Sequence, residues 1–253
     1  MIDYPLLCLA GFAAGVINAI AGGGTFLTFP ALVWAGVPPV AANATSAVAV
    51  FPGYVSSVLG FRRDLRGLPA GVLLRAALWS LAGGLIGGTL LLVSSDRAFS
   101  VVIPFLLLFA TLAFAFQNRI VGRVRARARP VAANGAVGLL GVSVCGGYFN
   151  GGLGIVMLAL FALWGMRDLG LMNGLKNALS AIVSAISVAV FILAGIVAWP
   201  QALAMAAANV AGGYAGARLA RVLPATVVRA VIVGVGLTMS VIFLARLVYD
   251  PTP

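Results

Sequence analysis

From Tyr4 to Phe61 the chain runs 58 residues without a charged side chain, and from Pro130 to Met166 it does so again. A helix crosses the hydrocarbon core of a bilayer with about 20 apolar residues, so each stretch holds more than one membrane segment. Charged residues make up 8% of the chain and hydrophobic ones 62%, against about 25% charged in an ordinary soluble domain. A soluble globule with so large an apolar core has no polar shell to cover it. Strands of a membrane barrel alternate apolar and polar positions, whereas Val101 to Phe116 is apolar on every side. The fold class expected is therefore an all-α polytopic membrane protein.

The first apolar stretch follows Asp3 rather than a basic segment, so it reads as a membrane segment and not as a secretory signal. Cys8 and Cys145 lie inside apolar segments and behave there as small hydrophobes. The net charge of +11 is concentrated in part at Arg119, Arg123, Arg125, Arg127 and Arg129. No aromatic or base-reading side chains interleave this cluster, which argues against nucleic acid. The positive-inside rule makes it a cytoplasmic loop whose expected contacts are anionic lipid headgroups.

Displacement by 130 positions superimposes Gly11 on Gly141, Gly22 on Gly152, Gly24 on Gly154, Trp34 on Trp164 and Asn43 on Asn173. Displacement by 129 brings Gly83-Gly84 and Gly87 onto Gly212-Gly213 and Gly216. The common spacing predicts two homologous transmembrane repeats, 1–118 and 131–253, joined by a basic cytoplasmic linker at 119–130. Apolar segments fall at about 5–21, 24–36, 43–62, 68–93 and 98–117, and again at about 131–150, 152–165, 174–197, 201–222 and 227–247. The second of each set is too short to span, and glycines precede it. The expectation is about eight full spans plus a re-entrant or half-helix in each repeat. Four crossings per half make the halves parallel and five make them inverted; the arginines favour five, a segment of about 13 residues favours four, and the choice stays open.

Broken helices survive in a bilayer only where they are buried in protein or line a cavity, and in repeat-built transporters such breaks meet at the substrate. Helix N-termini offer N–H donors and partial positive charge, which suits an anion. Gly22, Gly23, Gly24 and Thr25, with Gly152 and Gly154, are thus candidate binding residues, although glycine also serves close helix packing. That packing role fits Gly83, Gly84, Gly87, Gly88, Gly212, Gly213 and Gly216 better. Asn18, Asn43, Thr45 and Ser46 in the first half, and Asn150, Asn173 and Asn177 in the second, are the polar side chains nearest the breaks. Each can donate a hydrogen bond to a bound anion without adding net charge, or can equally serve as a cap or an interhelical bond. Lys176, the one lysine, is either the counter-charge of a bound anion or a helix-end lysine snorkelling to the interface.

With no histidine or glutamate, and aspartates only at 3, 64, 96, 168 and 250, no metal site or histidine-activated nucleophile assembles in the bilayer. No enzyme, metal or cofactor is expected. Proton coupling would rest on Lys176, a loop carboxylate such as Asp168, or the solute's own protonation.

The run Gly15-Val-Ile-Asn18-Ala-Ile-Ala-Gly22-Gly23-Gly24-Thr25-Phe-Leu-Thr-Phe-Pro30, then Gly36-Val-Pro38-Pro and Ala42-Asn43-Ala-Thr45-Ser46, resembles the TauE/SafE family of membrane permeases. Gly147-Tyr-Phe-Asn-Gly151-Gly-Leu-Gly154 and Asn173-Gly-Leu-Lys176-Asn177 carry the same resemblance in the second half. Cys145 stands where the repeat places Gly15. The resemblance covers nearly the whole chain and implies export, or in some members uptake, of sulfite, sulfoacetate and related organosulfur anions across a prokaryotic cytoplasmic membrane. The alternatives are a carrier or channel for another small anion, and a membrane scaffold that transports nothing.

Overall fold

The computed structural model describes residues 3–20, 23–60, 65, 68–116, 119, 122–123, 135–166, 168–219 and 225–249. Gly22 and most of the 119–130 segment lie outside them. Among the described residues there are ten α-helices and no strand: α1 Tyr4–Ile20, α2 Thr25–Trp34, α3 Pro39–Gly60, α4 Ala70–Val93, α5 Asp96–Ala115, α6 Ala136–Tyr148, α7 Leu153–Leu163, α8 Leu169–Leu193, α9 Trp199–Leu219 and α10 Ala225–Tyr249. Four are long and apolar enough to cross a membrane, namely α4, α5, Gly170–Leu193 of α8 and Ala230–Leu247 of α10. Helices α3 and α9, at 22 and 21 residues, have the length but are richer in Ala, Gly and polar residues.

The distribution of side chains is inverted relative to a soluble protein. Leu9, Trp34, Leu74, Phe109 and Leu193 are exposed, while Thr28, Asn43, Thr45, Ser46, Asn150, Ser184 and Asn209 are buried. In water so much bare apolar surface would drive association; in lipid it is the outer wall, and the polar groups find their partners inside.

Helices α2 and α7 have 10 and 11 residues, about 15 Å of rise at 1.5 Å per residue, or half a bilayer core. Both fold back along the helix before them. Side-chain carbons placed at Gly135, just before α6, and at Gly138 and Gly146 within it would meet Trp164, Leu160 and Leu153 in turn, the signature of an antiparallel pair. Helix α2 starts against Asn18 and Ala14, and an apolar groove of about 380 Å³ lined from Leu6 to Ala13 on α1 and from Leu27 to Trp34 on α2 runs beside it. Each short helix ends the same way. Gly36 and Gly165 have φ of 85° and 80°, and the bonds Gly36 N–H to Val33 O with Val37 N–H to Leu32 O recur as Gly165 to Ala162 and Met166 to Phe161. These are Schellman caps, which need a residue free to enter the left-handed region.

Helices α3 and α8 pack together, α5 packs on α10, α1 on α9 and α4 on α6. The α1–α9 and α4–α6 crossings are glycine-mediated: a carbon at Gly11 would lie 2.7 Å from Met205 O, and one at Gly147 2.6 Å from Gly84 O. Gly83, Gly84, Gly87 and Gly212 likewise abut a neighbouring backbone or side chain. Cys145, by contrast, is exposed, whereas Gly15 is buried. The positive-φ glycines that begin and end the two short helices, Gly23 with Gly152 and Gly36 with Gly165, are each 129 positions apart.

Candidate functional site

Chain continuity is lost where the sequence places glycines. Gly23 has φ of 106° and Gly152 of 83°, conformations that a Cβ disfavours. At the first break, Asn18 Oδ1 accepts the Gly24 N–H at 2.7 Å, and Thr28 Oγ1 bonds Gly24 O at 3.3 Å and Ser46 Oγ at 2.6 Å. The hydroxyl of Ser46 therefore ties the half-helix α2 to α3. At the second break, Asn150 Nδ2 donates to Ser184 Oγ at 3.1 Å, and its Oδ1 accepts from Tyr54 Oη at 3.4 Å. Asn150 thus bridges α8 to α3 through the interrupted main chain.

The two breaks approach the same surfaces. A carbon at Gly152 would lie 2.9 Å from Ala110 Cβ, and one at Gly23 3.8 Å from the Phe114 ring. Ala110 and Phe114 are one turn apart on α5. On α3, Gly53 lies beside the Asn18 amide and its neighbour Tyr54 reaches Asn150.

Helix ends supply fewer donors than the sequence suggests. Phe26 N–H is taken by Gly23 O, Leu27 and Thr28 N–H by Gly24 O, and Leu153, Ile155 and Val156 N–H by Asn150 O and Gly152 O. Thr25 and Gly154 are the first-turn residues whose N–H groups remain without such a partner among the described residues. They are 129 apart.

The other candidates divide by role. Thr45 Oγ1 accepts the Ala198 N–H at 3.0 Å and so holds the α8–α9 connection. Asn43 Nδ2 donates to Tyr148 O at 2.8 Å, closing the end of α6, while its buried Oδ1 has no partner among the described residues. Asn173 is half-buried in the first turns of α8 and is itself engaged by a neighbour; Asn177 is buried. The stem of Lys176 lies over Gly154, whose added carbon would sit 3.1 Å from Lys176 Cδ. The missing side chain at Gly154 lets the lysine stem lie close against the start of α7. Asp168 caps α8, accepting from Gly170 and Leu171 N–H at 2.8 and 3.1 Å, and is exposed. Tyr54 and Ser184, the hydrogen-bond partners of Asn150, are residues that the sequence does not single out.

A polar interior of interrupted helices inside an apolar wall is the build of a multi-pass membrane transporter. The model of the family described as Sulfite exporter TauE/SafE matches residues 7–243, and the chain belongs to that family. It is similar to a "Probable membrane transporter protein" of Haemophilus influenzae, with 37% identity over 116 residues covering 46% of this chain and 45% of that one. It is also similar to "Probable membrane transporter protein ORF9" of Sinorhizobium sp, with 35% identity over 112 residues covering 44% of this chain and 42% of that one. The chain thus matches less than half the length of these relatives. No solved structure matches it.

Proposed function

We propose that the protein is a secondary carrier, acting as an exporter, of small sulfur-containing anions such as sulfite or organosulfonates, with its binding site between two related halves in the cell membrane of a prokaryote. The observation that carries this reading is the meeting of both breaks on one turn of α5, at Ala110 and Phe114. There the Thr25 and Gly154 N–H groups, the Asn18 amide and Lys176 bring donors and one positive charge, with no carboxylate bonded to them among the described residues. An oxyanion takes hydrogen bonds from all of these. The sulfur chemistry of the reading comes from the family, described as sulfite exporters.

Two related repeats, 1–118 and 131–253, account for the helix pairings, in which α1 with α9 answers α6 with α4, and α3 with α9 answers α8 with α4. Because α2 and α7 fold back, the halves enter from opposite faces and are inverted. The ends of α3, α5, α7 and α9 then share one face, and the sequence joining them onward carries Arg62, Arg63, Arg66, the 119–129 arginines, Arg167 and Arg221. That face is cytoplasmic by the positive-inside rule, with anionic headgroups as its partners.

The test is sulfite and sulfoacetate flux in proteoliposomes. Saturable flux that a second anion on the opposite side accelerates supports a carrier. A protein that inserts and folds but moves neither anion contradicts the reading.

A further inference from the structure

The two hairpins close differently. In the second, a side-chain carbon at Gly135 would run into the indole of Trp164, and one at Gly138 would lie 3.0 Å from Leu160 Cδ1. Trp164 and Leu160 thus lie down over glycines, and the Trp164 ring packs on Phe161 at 5.4 Å. Counted back from the positive-φ glycine at each break, Leu6 and Leu9 of α1 stand where the second hairpin has Gly135 and Gly138. Bulk replaces the two glycines, and Trp34, at the end of α2, is 66% exposed.

Between the helices of the first hairpin there remains the groove of about 380 Å³. Its walls run from Leu6 to Ala13 on α1 and from Leu27 to Trp34 on α2, with Val235 and Met239 of α10 on the third side. Each of the first two walls rises about 10 Å, about two thirds of the depth that one leaflet gives the hydrocarbon core. Every side chain that lines the groove is apolar. A water molecule settles in such a space only with about two to four polar partners, so water does not fill it, and an empty slot forfeits dispersion contacts along all its walls. Leu9 and Trp34 at the rim belong to the exposed apolar surface that faces lipid. The groove therefore opens onto acyl chains.

We propose that one acyl chain of a membrane lipid occupies this groove and does for the first hairpin what Trp164 and Leu160 do for the second. The chain packs the outer side of half-helix α2. The inner side is held by the contact of the Thr28 and Ser46 hydroxyls and by Phe29, stacked on Phe243 of α10 at 5.9 Å. Lipid thereby becomes part of the packing that keeps α2, and with it the first break, in place. This holds whichever solute the breaks receive.

The test places the full chain in phosphatidylcholine vesicles with a trace of phosphatidylcholine that carries a photoactivatable diazirine in one acyl chain, and maps labelled residues by peptide mass spectrometry. An occupied groove predicts labelling at Ala13 and Leu27, which are half-buried, alongside labelling of the exposed Phe109 on α5. Ala10→Phe and Ala31→Leu fill the groove from opposite walls. Each should cut the yield at Ala13 and Leu27 roughly fivefold or more and leave Phe109 unchanged. Wild type labelled at Phe109 but not at Ala13 or Leu27 overturns the proposal, and a dimer found with that pattern assigns the groove to a second copy instead. Undiminished yield at Ala13 and Leu27 in the filled variants overturns it too. Should one variant fail to fold, the other decides.

Discussion

At the first break Asn18 Oδ1 accepts the Gly24 N–H at 2.7 Å. Asn18→Ala strands that N–H and is expected to cost about 1 kcal/mol or somewhat more, read as a lower unfolding midpoint in detergent. Lys176 poses a different question, because its stem packs on Gly154 while its charge has no carboxylate partner among the described residues. Lys176→Met keeps the stem and removes the charge, so insertion should be normal and sulfite flux should fall roughly tenfold or more; undiminished flux at equal expression would remove Lys176 from the site. At this scale the sequence was legible where a residue type was rare. A lone lysine and asparagines beside glycine runs stood out. Tyr54 and Ser184 did not, because only the packing of α3 and α8 around the second break brings them to Asn150. Thr45 was visible as polar, but its bond to Ala198 N–H, 153 positions away, is a matter of packing.

Among elements, the half-helices are the feature the glycines announce most clearly. Gly23 and Gly152 start them and Gly36 and Gly165 end them, all with positive φ. The four positions are not equivalent to substitution. Gly36 and Gly165 have nothing within 4 Å of an added carbon, so alanine there carries only the left-handed penalty of about 1–2 kcal/mol. Transport at matched folded protein should persist. Gly152→Ala adds a 2.9 Å clash with Ala110 and should abolish transport as well as lower stability, as should Gly23→Val beside Phe26 and Phe114. Proteoliposome flux normalised to folded protein separates the two pairs, and normal flux in Gly152→Ala would make the second break mere packing. The segment lengths were readable from the runs of apolar residues. Their direction was not, since a hairpin and a continued crossing have the same composition, and only contacts such as Gly138 with Leu160 distinguish them.

Across the whole molecule, the proposed inverted arrangement, with its two hairpins entering from opposite faces, puts the α5–α6 and α7–α8 connections on one side and the α4–α5 connection on the other. In a background lacking Cys8 and Cys145, Gly122→Cys and Met166→Cys should react with an impermeant thiol reagent from the cytoplasmic side, and Arg97→Cys from outside. Labelling of residues 122 and 166 from opposite sides would refute the inverted arrangement. Deeper than topology lies the idea that both interruptions serve one solute. Anomalous diffraction from crystals grown with selenite, a heavier oxyanion of sulfite's shape, tests it most directly. Selenium is predicted between the two breaks, within hydrogen-bonding reach of the Thr25 or Gly154 N–H or the Asn18 amide. Selenium found only at the protein surface, with none near α5 at Ala110 to Phe114, would contradict the account.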